Sequence, residues 1–202
     1  MITGLLLAAG QSHRFGAPKL LQPLHDGAPL VTHGARSLRQ AVDRAVAVVR
    51  ADDLPLATEL RRAGFEVVCC PDAHNGLGAS LAFGVRVTGG STGWLVALAD
   101  MPHVRPETVQ AVAAQLRAGA IVAAPYFQGR RGHPVGFGRA LGPALGALTG
   151  DAGAVALIKA YRHLLVKVPC TDAGILQDID TPDDLVAAAH RPPPGDPARP
   201  AP

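Results

Sequence analysis

Two rhythms of apolar and polar positions alternate along the chain. Short apolar runs rich in branched side chains predict strands at Thr3–Ala8, Ala45–Val49, Glu66–Cys70, Trp94–Leu98, Ile121–Ala124, Pro134–Phe137 and Leu164–Val168. Between them, apolar residues recur every three to four positions and predict helices at Pro29–Ala41, Leu54–Ala63, Ala79–Val87, Pro106–Ala118, Ala140–Leu148 and Ala152–Tyr161. A last helix is expected at Pro182–Ala189, with Thr181 as its N-cap and Pro182 in the first turn, where a missing N–H costs nothing. The first strand is nearly all apolar, as a strand buried on both faces must be. Strand and helix in alternation predict a three-layer α/β/α domain around a mostly parallel sheet of about seven strands.

Composition narrows this picture. A chain of 202 residues with 48% hydrophobic content suits one domain with an ample core. That domain is expected to span residues 1–190. The remainder, from Arg191, has six prolines in twelve residues and is expected to be a disordered tail, because proline supports neither a helix interior nor a sheet ladder. The apolar runs are too short to span a membrane, and "MITGLLLAAG" has no basic segment before its apolar run, so a cytoplasmic protein is expected. Cys69, Cys70 and Cys170 have no metal-ligand spacing and read as inert thiols. A net charge of +3 with no basic run offers no support for nucleic acid as a partner.

The loop after the first strand, in "LLLAAGQSHRFGAPKLL", is the most informative stretch. Ligands of open parallel sheets sit beyond the carboxyl ends of the strands. Only three of the nineteen basic side chains are lysines, and Lys19 is the first of them, in a glycine-containing loop. The phosphate loop GxxxxGK[ST] fails, because Gly16 is followed by Ala17, Pro18 and Lys19. The dinucleotide fingerprint GxGxxG fails as well, because Gly10 and Gly16 stand six apart. Two readings remain: an extended loop that wraps a triphosphate with Arg14 and Lys19 as cationic donors, or an ordinary loop with surface charges.

Six motifs in order then carry a resemblance over about residues 3–189. They are the loop just quoted, "GLGASLAFG" (76–84), "ALADMP" (97–102), "GRRGHPVGF" (129–137), "LTGDAGA" (148–154) and "DIDTPDDL" (178–185). Together they resemble the signature set of the MobA-like nucleotidyltransferases, and more narrowly the molybdenum cofactor cytidylyltransferases. Leu77 departs from the usual methionine and conserves volume. The resemblance implies a Rossmann-like nucleotidyltransferase fold of the GT-A type. It also implies transfer of CMP from CTP to a phosphorylated pterin cofactor with release of pyrophosphate, and a molybdenum hydroxylase as a further partner. Another small phosphorylated acceptor, or a non-catalytic module that delivers the cofactor, would keep the same motifs.

Such a transfer joins two anions, so it requires a divalent cation and fixed basic groups. Asp100 falls at a strand's end and Asp180 just before the last helix, and two hard oxygen ligands from distant loops suit Mg²⁺. The resemblance assigns both aspartates to the metal, with Asp178 as the competitor of Asp180. It assigns Lys19 to the phosphates, and Arg14 is expected beside it. The backbone of Ala8, Ala9 and Gly10 is expected to meet the base, with Gly78 permitting close approach. Ser80 offers its hydroxyl to the nucleoside or caps its own helix. Where the guanylyl enzymes have Leu-Ala-Gly-Gly, Ala9 adds a methyl that narrows the space for a purine. His133 and Arg131 are expected at the acceptor, with packing at a strand start the alternative for His133. The attacking phosphate is already anionic, so no general base is required there.

Overall fold

The computed structural model describes residues 1–10, 15–151 and 153–189; Arg14 and the proline-rich tail lie outside the described residues. The strands are β1 (Ile2–Leu7), β2 (Arg44–Arg50), β3 (Glu66–Cys70), β4 (Gly93–Leu98), β5 (Val122–Phe127), β6 (Arg130–Arg131), β7 (Val135–Gly138) and β8 (Leu165–Pro169). The helices are α1 (Leu30–Ala41), α2 (Leu54–Arg62), α3 (Leu77–Val87), α4 (Pro106–Arg117), α5 (Gly142–Gly146), α6 (Val155–Ala160) and α7 (Pro182–Ala189). Every expected strand and helix is present. The differences are at edges: α3 begins two residues early, and the 140–148 segment divides into a 3-10 turn and the short α5. The sheet has eight strands because the arginine pair 130–131, too short and polar to show a strand pattern, pairs with the end of β5.

The strand order is β3-β2-β1-β4-β7-β5-β6, and β8 also pairs with β5. β1, β2, β3 and β4 pair in parallel, as do β5 and β8. β7 runs antiparallel between β4 and β5, so only β6 and β7 are reversed. β1 lies at the centre, with Leu5 opposite Val46 of β2 and Val96 of β4. All six of its residues are buried, as its nearly all-apolar pattern leads one to expect.

Alternation along β1 divides the interior into two cores. Leu6 packs on one face with Leu38 of α1, Leu60 of α2, Val112 of α4 and Ala188 of α7. Leu5 and Leu7 pack on the other with Leu81 and Val85 of α3, Leu145 of α5 and Ile158 of α6. Each such leucine, fully buried, contributes about 1.5–3 kcal/mol of transfer free energy. The parallel strands therefore end together on one edge, with helices on both sides to shape it. No helix among the described residues is long and apolar enough to cross a membrane.

One buried carboxylate ties the sheet edge to the segment that leads into α7. Asp172, 2% exposed, accepts hydrogen bonds from the Arg105 N–H (2.8 Å), the Thr108 hydroxyl (2.8 Å) and the Gly174 N–H (2.9 Å). It caps the first turn of α4 from 64 residues away in sequence, because Arg105 at the cap position makes no side-chain cap of its own. Asp172→Ala is expected to destabilise the domain by about 1–3 kcal/mol, since two buried donors and one part-buried donor lose their acceptor. The shift of the urea midpoint measures it, and an unchanged midpoint would refute the role.

Candidate active site

The carboxyl ends of β1 and β4 open into a cleft of about 560 Å³. Its floor is Ala8, Ala9 and Gly10. The Ala8 N–H is held by the Val48 carbonyl (2.9 Å), and the Ala99 N–H by the Leu7 carbonyl (3.1 Å), so the floor is fixed to its neighbours. Among the described residues, nothing lies within 4 Å of where a side chain at Gly10 would begin.

One wall carries charge. Asp100 follows β4, and Asp180 precedes α7. The Ile179 N–H donates to the Asp100 carbonyl (3.0 Å), which joins the two segments side by side. Lys19, in a 3-10 turn (Lys19–Leu21), is 6% exposed. Its ammonium donates to Asp100 Oδ2 (3.0 Å), to Asp180 Oδ1 (3.5 Å) and to the Ile179 carbonyl. Lys19, expected against phosphates, lines the cleft, with its donors on the two carboxylates and the Ile179 carbonyl. Asp178 is exposed and does not line the cleft, whereas Asp180 does. The α7 start is fixed by a capping box: Asp184 accepts from the Thr181 N–H (2.8 Å) and hydroxyl (2.8 Å), and the Thr181 hydroxyl accepts from the Asp184 N–H (3.2 Å). Those bonds, with another from the Asp180 N–H, lower the Asp184 carboxyl below its usual range.

The opposite wall comes from the loop after β3, the start of α3 and the 148–151 segment. His74, Gly76, Leu77, Ser80 and Asp151 line it. Ser80 is buried in the first turn of α3, and its hydroxyl donates to the Gly76 carbonyl (3.3 Å), so it does not cap the helix. Gly78 was expected to approach the nucleotide and does not line the cleft. A side chain there would begin 2.7 Å from the carbonyl oxygens of Thr149 and Gly150, and its N–H donates to Gly150 (2.7 Å). Glycine at this position lets the 148–151 segment lie on α3 and places Asp151 at the rim. Asp151 stands in the "LTGDAGA" motif, which by itself gives it no role, and His74 carries no local signal at all.

The structure does not bring Arg131 and His133 into the cleft. Arg131 lies on β6, half-exposed. His133 sits behind the Asp100 loop, beside Gly34, Leu98 and Met101. Its N–H is held by the Ile175 carbonyl (3.1 Å), and its Nδ1 is buried without a partner among the described residues. Desolvation, helped by the Arg131 charge, pushes the imidazole down from 6.5 to about 4, outweighing the Val96 carbonyl and Asp178. His133 is therefore neutral at pH 7 and belongs to the packing beneath the loop. Its folded-state value is depressed, so the unfolded chain binds a proton between pH 6.5 and about 4 that the folded chain does not. Stability is expected to fall through that window on acidification. In His133→Gln the fall in melting temperature from pH 7 to pH 5 should be smaller than in the wild type; an equal fall would refute the assignment.

Comparison with known proteins agrees with this architecture. Residues 4–165 match the MobA-like NTP transferase domain. The nicotine blue oxidoreductase of Paenarthrobacter nicotinovorans is 31% identical, covering 91% of this chain and 94% of its own. The crystal structure of Rv0371c from Mycobacterium tuberculosis H37Rv superposes with a TM-score of 0.77 at 30% identity, over 94% of this chain and 97% of that one. A structure of Rv0371c in complex with manganese superposes with a TM-score of 0.72 at 28% identity, over 93% and 97%. With its strands, cleft and sequence all in agreement, the chain belongs to the MobA-like NTP transferase family and is a nucleotidyltransferase.

Proposed function

We propose that the protein is an Mg²⁺-dependent cytidylyltransferase that transfers CMP from CTP to the phosphate of a molybdopterin-type cofactor. The observation that carries this reading is the meeting of Asp100, Asp180 and Lys19 at one wall of a cleft floored by Ala8–Gly10. A cation already lies 3.0 and 3.5 Å from the two carboxylates, so their oxygens converge on one point and suit a hard divalent ion. The manganese complex of Rv0371c supports the same choice. Bound Mg²⁺ would neutralise the triphosphate and fix its oxygens for in-line attack.

In this reading the floor holds the base, and the Ala9 methyl favours a pyrimidine over a purine. Asp100 and Asp180 hold the metal side of the triphosphate, and Lys19 supplies positive charge next to it. An oxygen of the acceptor phosphate attacks the α-phosphorus. The bond from that phosphorus to the β-phosphate oxygen breaks, and pyrophosphate leaves with its electron pair. The acceptor oxygen is already anionic, so the displaced position of His133 costs the reaction nothing. Two carboxylates around a cation suit a metal-bound polyphosphate. Delivery of the product to a molybdenum hydroxylase, and a cytoplasmic setting for three free cysteines, complete the proposal.

Pyrophosphate release from CTP with purified molybdopterin, measured beside a panel of other NTPs and of sugar and alcohol phosphates, tests the function. Release with another acceptor and none with molybdopterin would overturn it. In the same assay Asp100→Ala is expected to remove turnover while leaving the fold intact, a loss of several kcal/mol of transition-state stabilisation. Near-normal release by the folded variant at modest Mg²⁺ would sink the metal assignment.

Ala9→Gly is expected to broaden nucleotide use without inverting it. One methyl is worth about 1–3 kcal/mol of discrimination, on the order of ten- to two-hundred-fold. The ratio of kcat/KM for CTP and GTP in both proteins measures the effect. An unchanged ratio would place base selection elsewhere.

A further inference from the structure

Lys19 stands where the proposed metal would stand. Its ammonium lies 3.0 Å from Asp100 Oδ2 and 3.5 Å from Asp180 Oδ1, and the Ile179 carbonyl takes a third bond. An ammonium has three protons, and these partners use them all. The side chain is 8% exposed, so the ammonium has given up most of its water for those three oxygens. It cannot move away unless another anionic group replaces them.

The protein's own ligand set is also small. Among the described residues there is no group of three or more His, Cys, Asp or Glu side chains that could hold a metal ion. A free divalent ion would have to take two carboxylates from Lys19 and leave that ammonium buried beside a second cation. A triphosphate changes both terms at once. Its oxygens complete the coordination of the metal, and its negative charge gives Lys19 a new partner.

We propose that Lys19 is the resident counter-cation of the Asp100–Asp180 pair, and that it keeps the site closed to free metal ion, so that metal and triphosphate enter together. This rests on the assignment of Asp100 and Asp180 as metal ligands under the proposed function. It gives one lysine two opposed effects: it weakens binding of the metal alone and strengthens binding of the metal–nucleotide complex.

The test is a Mn²⁺ titration of the full chain without nucleotide, followed by electron paramagnetic resonance of the free ion. Lys19→Met keeps the length and apolar stem and removes the charge; Lys19→Gln is the second variant, should Met impair folding. Either folded variant is expected to bind Mn²⁺ roughly tenfold or more tightly than the wild type, since a buried like charge has been removed from beside the ion. The same variant is expected to bind Mn²⁺·CTP more weakly than the wild type. Mn²⁺ affinity that is unchanged or lower in the variants would overturn the proposal. Asp100→Asn separates the two levels of the argument. If it leaves binding of Mn²⁺·CTP unaltered, the metal assignment itself falls. If it weakens that binding while Lys19→Met brings no gain in affinity for Mn²⁺ alone, only the counter-cation role falls.

Discussion

Two carboxylates held side by side need a cation between them. Unit charges about 4 Å apart interact by about 1 kcal/mol in water and about 4 kcal/mol near a protein surface. Asp100 and Asp180 come from segments 80 residues apart, and a backbone bond from Ile179 to the Asp100 carbonyl fixes them as neighbours. The Lys19 ammonium, bonded to both, makes that proximity tolerable. Everything that brings these three side chains together contributes to the site: the central position of β1, the end of β4, the 3-10 turn at Lys19 and the capping box at the start of α7.

The supporting structure shows the same economy. Asp172 lies outside the cleft, yet it holds the first turn of α4 and the turn at Gly174, and so anchors the stretch that delivers Ile179 and Asp180. On the other wall Gly78 acts through packing. By admitting the Thr149–Gly150 backbone it brings Asp151 to the rim. His133 is likewise a support, neutral and half-buried under the Asp100 loop. The charged wall and the wall opposite it are thus built from different layers of the sandwich. Lys19 is followed by Leu20, which packs in the core of α1, α2 and α4, whereas Ser80 belongs to α3 on the opposite face.

The family match ends at residue 165, so Asp180 and α7 lie beyond it. The tertiary structure nevertheless places Asp180 within reach of Lys19 and Asp100, and the helix that follows packs Ala188 into the core. The folded unit therefore extends past the matched segment, to the last described helix.

Much of this was legible in the sequence, because the signals concerned are local. A nearly all-apolar run at Thr3–Ala8 reads as a strand with helices on both faces, and Thr181 with Asp184 three residues on reads as a helix start. The parallel order of the sheet follows from that alternation, and with it the edge on which Ala8, Asp100 and Asp180 all emerge. What the sequence left open depended on contacts between distant segments. Whether Gly78 spares room for a ligand or for another stretch of backbone, whether His133 faces the cleft or the core, and which carboxylates come within reach of Lys19 are each decided by what arrives from elsewhere in the chain. For Lys19 the physical reason is plain. A buried ammonium must satisfy three donors, and its acceptors are the Ile179 carbonyl and two carboxylates that only the folded chain brings within its reach.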